Sequence, residues 1–237
     1  MRKISSVLLL VLFPLLTYSQ KYSVDFHAGY GTYLLSGLKE FQSNMTQVYL
    51  PLPVKETVRF PGYLNYSASA DFWYNSKNSI GLNGVFFTTG GRNHLKDYSG
   101  EYKLDMIMNG YRLGIQDRNI LLSSGTVKIY LQLRAGILMS VFKMDEFIKI
   151  NNVDSVSEGY VFTSKTFFGE PSLGFRYKVI EGLSADFCFG YQFDTEGKLH
   201  LKENKEMMLN NPAGGPVYTN WSGVRIQLGV SYTLFQK

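Results

Sequence analysis

Five stretches of the chain alternate apolar and polar residues at period two, a rhythm that suits a strand with two unlike faces and that a helix cannot use. From Tyr22 to Tyr30 the even positions are Tyr22, Val24, Phe26, Ala28 and Tyr30, set against Ser23, Asp25, His27 and Gly29. Leu64–Tyr74, Val127–Val141, Leu183–Phe193 and Val224–Leu234 repeat the pattern. Three less regular stretches, about 79–88, about 101–116 and about 161–179, bring the strands to eight. The second changes phase near Asn109-Gly110, which predicts a bulge. The third carries Pro171, which has no donor for a ladder.

The connections alternate long and short. Asn75-Ser76-Lys77-Asn78, Asp117–Gly125 and Ile180-Glu181-Gly182 are short, whereas about 34–61, 89–100, 143–159 and 195–219 are long. Outer-membrane barrels sort their connections in this way, with short periplasmic turns at one end and long extracellular loops at the other. The sequence therefore predicts an all-β fold, an eight-stranded antiparallel up-and-down transmembrane β-barrel. Its polar face is rich in Gly, Ser, Asn and Gln, small enough for the crowded interior of a narrow barrel. Aromatic girdles are expected at Tyr22, Tyr74, Tyr177 and Tyr232 on the turn side, and at Tyr30, Tyr102, Tyr191 and Phe193 on the loop side.

Residues 1–19 read as a signal peptide, leaving 20–237 as the barrel domain. Arg2 and Lys3 precede the apolar run Val7–Leu16, which is too short to span a bilayer, and Thr17-Tyr18-Ser19 offers a cleavage site. Removing Arg2 and Lys3 lowers the net charge from +5 to +3, and the remaining basic residues are scattered, so nucleic acid is not expected as a partner. Cys188 is the only cysteine, which excludes an intrachain disulfide.

Three segments carry a resemblance: Tyr18-Ser19-Gln20, Glu170-Pro171-Ser172-Leu173-Gly174-Phe175-Arg176-Tyr177, and Gly229-Val230-Ser231-Tyr232-Thr233-Leu234-Phe235. They resemble small outer-membrane barrels of the Bacteroidetes type, the OmpX-like and PorT-like proteins. The resemblance covers nearly the whole chain after the signal and implies the barrel and a bacterial outer-membrane location. It implies no active-site motif.

Inward parity gathers Asp25, Asp71, Arg134, Glu170, Arg176, Asp186 and Arg225 into an expected interior ion network, because charges inside a narrow barrel must be paired. If Ile180-Glu181-Gly182 closes a hairpin with Val179 opposite Leu183, Arg176 faces Asp186 and Gly174 faces Cys188. Glu170 is expected near Arg134. Ser23, Asp25, His27, Ser67, Ser69 and Asp71 could furnish a hydroxyl, a base and a carboxylate, but no spacing singles them out as a catalytic set. No metal-ligand spacing and no nucleotide motif is present, and no cofactor is expected.

The functional surface is expected in the loops. Leu50 and Leu52 in the first, and Lys202, Met207, Met208 and Leu209 in the fourth, are the candidate partner-binding residues. The expected partners are outer-membrane lipid or lipopolysaccharide, and a protein reached through the loops or within an envelope or secretion complex. The expected function is non-enzymatic; a narrow solute channel and a lipid A-modifying enzyme are the alternatives. Asp154-Ser155-Val156 is similar to a short O-glycosylation sequon.

Overall fold

The computed structural model describes residues 21–48, 54–150 and 155–234. The signal peptide expected over 1–19 lies outside them. Eight long antiparallel strands form the wall: β1 (Lys21–Gly31), β3 (Tyr63–Trp73), β4 (Asn78–Lys96), β5 (Gly100–Ser124), β6 (Val127–Ile150), β7 (Val156–Ile180), β8 (Leu183–Asp194) and β12 (Gly223–Leu234). Each pairs with its neighbour in sequence; β7 pairs with β8, β8 with β12 and β12 with β1, so the ladder closes on itself.

The register gives the barrel's geometry. Across the hydrogen bonds from Tyr177 the path runs through Ala185, Val230, Phe26 and Ala68. It continues through Gly84, Leu113 and Ile137 to Phe167. It thus returns to β7 ten residues from its start. Eight strands with that stagger, at about 3.3 Å rise and about 4.8 Å spacing, tilt by roughly 40° and leave an interior that side chains fill.

The two faces are inverted relative to a water-soluble barrel. Phe26, Leu64, Tyr66, Leu82, Leu113, Ile115, Phe167, Leu173, Phe189 and Leu228 are exposed on the outer wall, while Asp25, Asn65, Asn83, Gln116, Arg134, Glu170, Gln192 and Gln227 are buried inside. Each exposed large side chain would forgo about 1.5–3 kcal/mol of burial in water, and an apolar belt of this extent belongs in lipid. No helix among the described residues is long and apolar enough to cross a membrane. The protein is a transmembrane β-barrel of the outer-membrane type, and single-chain barrels of this construction reside in bacterial outer membranes.

Several features depart from the sequence reading. The segments 89–100 and 143–159 are largely strand: β4, β5, β6 and β7 run on as tall hairpins beyond the apolar belt. No bulge occurs at Asn109-Gly110, where both ladders stay in register. Gly110 is inward and leaves room for the Phe87 ring, which a Cβ there would strike. The register shift falls instead between Ile120 and Leu122. Pro171 keeps its outward place, facing Leu133 on β6, and the β7–β8 ladder merely skips it. Tyr102 is buried rather than part of an outer girdle.

The phase change near residue 109 has a different cause. Even-numbered residues of β5 face inward from Tyr102 to Ile120, but the lower ones include Arg112, Gln116 and Arg118 whereas the upper ones are Tyr102, Leu104, Met106 and Met108. The lumen is polar within the membrane and apolar above it. A 13-residue helix, α1 (Ser36–Val48), lies across this upper part. Leu38, Phe41 and Gln42 are buried and Met45 packs on the same core, a spacing of three and four that marks one helical face. The short strand β2 (Lys55–Arg59) pairs with the upper half of β4. Three two-residue strands follow in the last loop: β9 (Gly197–Lys198), β10 (His200–Leu201) and β11 (Tyr218–Thr219).

Candidate functional site

The interior is built in three tiers. The lowest holds Asp25, Asp71 and Asp186 with Arg118 and Arg176. Arg118 lies 2.7 Å from Asp25 and 2.9 Å from Asp71. Arg176 lies 2.5 Å from Asp186 and 3.3 Å from Asp25. Tyr130 runs through the centre, its hydroxyl 3.2 Å from Asp186 and its ring 4.7 Å beneath the Arg118 guanidinium. The ring has that path because its register partner is Gly174, where a Cβ would collide with it. His27 Nε2 sits 3.6 Å from Asp186.

The middle tier centres on Glu170. Arg134, directly opposite it across β6 and β7, lies at 2.6 Å, and Arg112 binds its other carboxylate oxygen. Amides knit the two tiers together. Gln116 donates to Asp71 at 2.7 Å and accepts from Gln132 at 2.9 Å, and Gln227 accepts from Arg134 and donates to Asn65. Charges buried this deeply cost several kcal/mol each unless paired, so the pairing is a condition of the fold.

Arg225 differs from its expected role. Among the described residues it makes no ion pair. It donates to the carbonyls of Thr32 (2.6 Å) and Trp221 (2.7 Å) and stacks 4.8 Å over Tyr33. It thus joins the middle tier to the upper one, an apolar core of Tyr33, Phe87, Leu104, Met106, Phe142 and Trp221 under α1. Trp221, fully buried, donates from its indole to Ser140 at 2.9 Å and meets Tyr33 and Phe87 edge-on.

Sequence reading passes over Arg112 and Arg118. The supposed bulge put Arg112 on the wrong parity, and taking Asp117–Gly125 as a turn removed Arg118 from the wall. Strict even parity along β5 would have found both. The hairpin premise also needs amendment: Leu183 pairs with Ile180, not Val179, and a register shift between Lys178 and Ile180 restores Arg176 to Asp186 and Gly174 to Cys188.

Of the loop candidates, Leu50 and Leu52 lie outside the described residues. Lys202, Met207 and Met208 are exposed. Leu209 is not available to a partner: it is buried in the upper core with Leu199 and Val217, because its backbone pairs with theirs and turns the side chain inward. Ser155 is exposed just before β7, and Asp154 lies outside the described residues.

Above the membrane the outer face of the hairpins is charged. Arg92 binds Asp105, Lys103 lies 2.7 Å from Asp105, and Glu101 is 3.1 Å from His94 and 3.5 Å from Lys96. Hydrogen bonding to His94, with Lys96 nearby, holds the Glu101 carboxyl below its ordinary range. Burial pushes Asp105 up, but hydrogen bonds from Arg92 and Lys103 outweigh it and the net shift is downward.

Fold and interior together define a small outer-membrane barrel with a filled lumen and a structured extracellular crown. No protein-family profile matches the chain, and no curated protein sequence does. Among solved structures it is similar to Ail, the attachment invasion locus protein of Yersinia pestis, with 14% identity and a TM-score of 0.37 over 91% of this chain and 98% of that one. It is similar also to OprG from Pseudomonas aeruginosa (14%, TM-score 0.41, 92% and 96%). Neisserial surface protein A gives 12% identity and a TM-score of 0.38 over 90% and 96%. These likenesses concern architecture alone.

Proposed function

We propose that the protein is a non-enzymatic outer-membrane barrel whose extracellular crown binds a protein partner. The observation that carries this reading is the double closure of the lumen. A paired-charge network fills the membrane segment and an apolar core under α1 fills the segment above it, so the wall serves as a rigid mount. A channel needs a continuous water path, and buried side chains occupy both of these layers.

The residues that could assemble a catalytic set support the same reading. His27, Asp25, Ser67 and Ser69 are all buried inside the wall, away from the lipid surface where an acyl chain would be presented. The crown, by contrast, offers apolar side chains at its tips: Ile150, Val156 and Tyr160 on the β6–β7 hairpin, and Met207 and Met208 beside Lys202 in the last loop. Exposed methionines and aromatics among charges are what an adaptable protein contact uses.

Capture of partners from cross-linked native membranes, compared between the natural chain and variants, tests this. One variant replaces residues 202–208 with a Gly/Ser turn, and a second carries Val156→Ser with Tyr160→Ser. Both leave Leu199 and Leu209 in place and should migrate on gels as folded barrels. Loss of the captured protein in either supports the proposal. Undiminished capture in both overturns it.

A further inference from the structure

We propose that the short-turn mouth of the barrel binds a small multivalent anion, bearing phosphate or carboxylate groups, that arrives from the periplasm. A cavity of about 300 Å³ opens there, bounded by Lys21, Lys128, Lys178 and Arg176 and by the Trp73 side chain. Ser76, Ser123, Thr126, Ser184 and Thr233 complete its wall, and none of the described lining residues is acidic. The volume falls at the small end of ligand-binding pockets.

These cations share the inward parity of the wall at its rim, where Lys21 and Lys128 are half-buried and Lys178 is exposed. Lys21 follows the parity of Ser23 and Asp25 on β1, Lys128 that of Tyr130 on β6, and Lys178 that of Arg176 on β7. Lys128 stands directly opposite Arg176 in the ladder, a like-charge pairing that destabilises a sheet. Deeper in the lumen Arg112, Arg118, Arg134 and Arg176 each have a carboxylate partner. At the mouth Lys21, Lys128 and Lys178 have no carboxylate within ion-pair distance among the described residues. Three uncompensated lysines around a hydroxyl-lined hollow form an anion site lacking only the anion's charge. Phosphate and carboxylate ligands share this chemistry.

The test is isothermal titration calorimetry of the full chain, folded in an uncharged maltoside detergent, with inorganic pyrophosphate and citrate as probes. Saturable binding that weakens with salt is expected, and the tighter probe shows whether phosphate or carboxylate is the natural group. Lys128→Gln should weaken it at least threefold, and Lys21→Gln/Lys128→Gln/Lys178→Gln should remove it, while Lys143→Gln on the exposed upper part of β6 changes nothing. Folded-barrel gel migration of each variant separates lost binding from lost folding. Absence of binding to both probes, or equal binding by the triple variant, overturns the proposal. Binding that appears only when Gln236 and Lys237 are deleted would make the chain's own end the occupant, and overturns it too.

Discussion

Arg176 and Asp186 face each other across β7 and β8 with Nη2 and Oδ2 2.5 Å apart, and the same guanidinium reaches Asp25 at 3.3 Å. One arginine therefore ties together two carboxylates that come from β1 and β8, strands separated in the ring by β12. Asp186→Ala should destabilise the barrel by about 3–5 kcal/mol, the cost of stranding a buried charge. Asp25 still neutralises part of that charge, which favours the lower end. Urea unfolding from lipid vesicles measures it. Arg176→Leu/Asp186→Leu should recover most of the loss, and a double variant as unstable as the two singles summed would show that the residues act apart.

The upper core has its own keystone in Trp221. Its ring lies 4.9 Å from Tyr33 and 4.6 Å from Phe87, and its indole nitrogen holds Ser140. Trp221→Ala should cost about 3–5 kcal/mol, as removal of a fully buried aromatic does. Limited proteolysis should then cut within α1 while the wall strands remain intact. Cleavage that spreads through the membrane segment would mean that crown and wall unfold together.

Closure at two independent levels predicts that opening one does not open the pore. A chain in which residues 36–48 are replaced by a short Gly/Ser linker loses the cap but keeps Glu170 between Arg112 and Arg134. Planar-bilayer recordings of this variant should stay at the baseline of the natural chain. Steady conductance would show that α1 alone keeps ions out, and would revive the channel reading.

What the sequence disclosed and what it hid share one physical origin. Period two reveals the wall because lipid outside and polar groups inside make unlike faces, and the turn at Glu181-Gly182 places Arg176 opposite Asp186 although its first pair is Ile180 with Leu183. The same rule misled above the membrane, where both environments change. There Leu104, Met106 and Met108 face an apolar interior and Lys103 and Asp105 face water, so apolar no longer means outward. The switch resembled a bulge and concealed Arg112. Helix α1 is legible in principle from Leu38, Phe41, Gln42 and Met45, but a 13-residue helix within a long connection between strands gives little contrast with its surroundings. Arg225 was placed correctly inside the wall, yet no parity argument distinguishes an arginine held by carboxylates from one held by carbonyls and rings.

The crown should loosen in acid before the wall does. Glu101 and Asp105 lie on the β4–β5 hairpin above the membrane, and both carboxyls are held below their ordinary range, Glu101 by His94 and Lys96 and Asp105 by Arg92 and Lys103 against the effect of its partial burial. A carboxyl with a lowered folded pKa binds fewer protons in the folded form than in the unfolded one. Its contribution is complete above the unfolded value and disappears as pH falls through the folded value. The hairpin should therefore be fully stabilised at pH 6 and lose these contributions below about pH 4, the ordinary carboxylate range. Amide hydrogen exchange, corrected for intrinsic rates, should show protection of residues 92–105 falling between pH 6 and pH 3 while that of the wall strands holds. Glu101→Gln/Asp105→Asn should be less protected at pH 6 and should lose part of the pH dependence, keeping the part that comes from Asp97, whose carboxyl is also held low by hydrogen bonds from Ser99. Equal protection of the natural hairpin at both pH values would mean that these surface pairs contribute nothing to holding the crown upright.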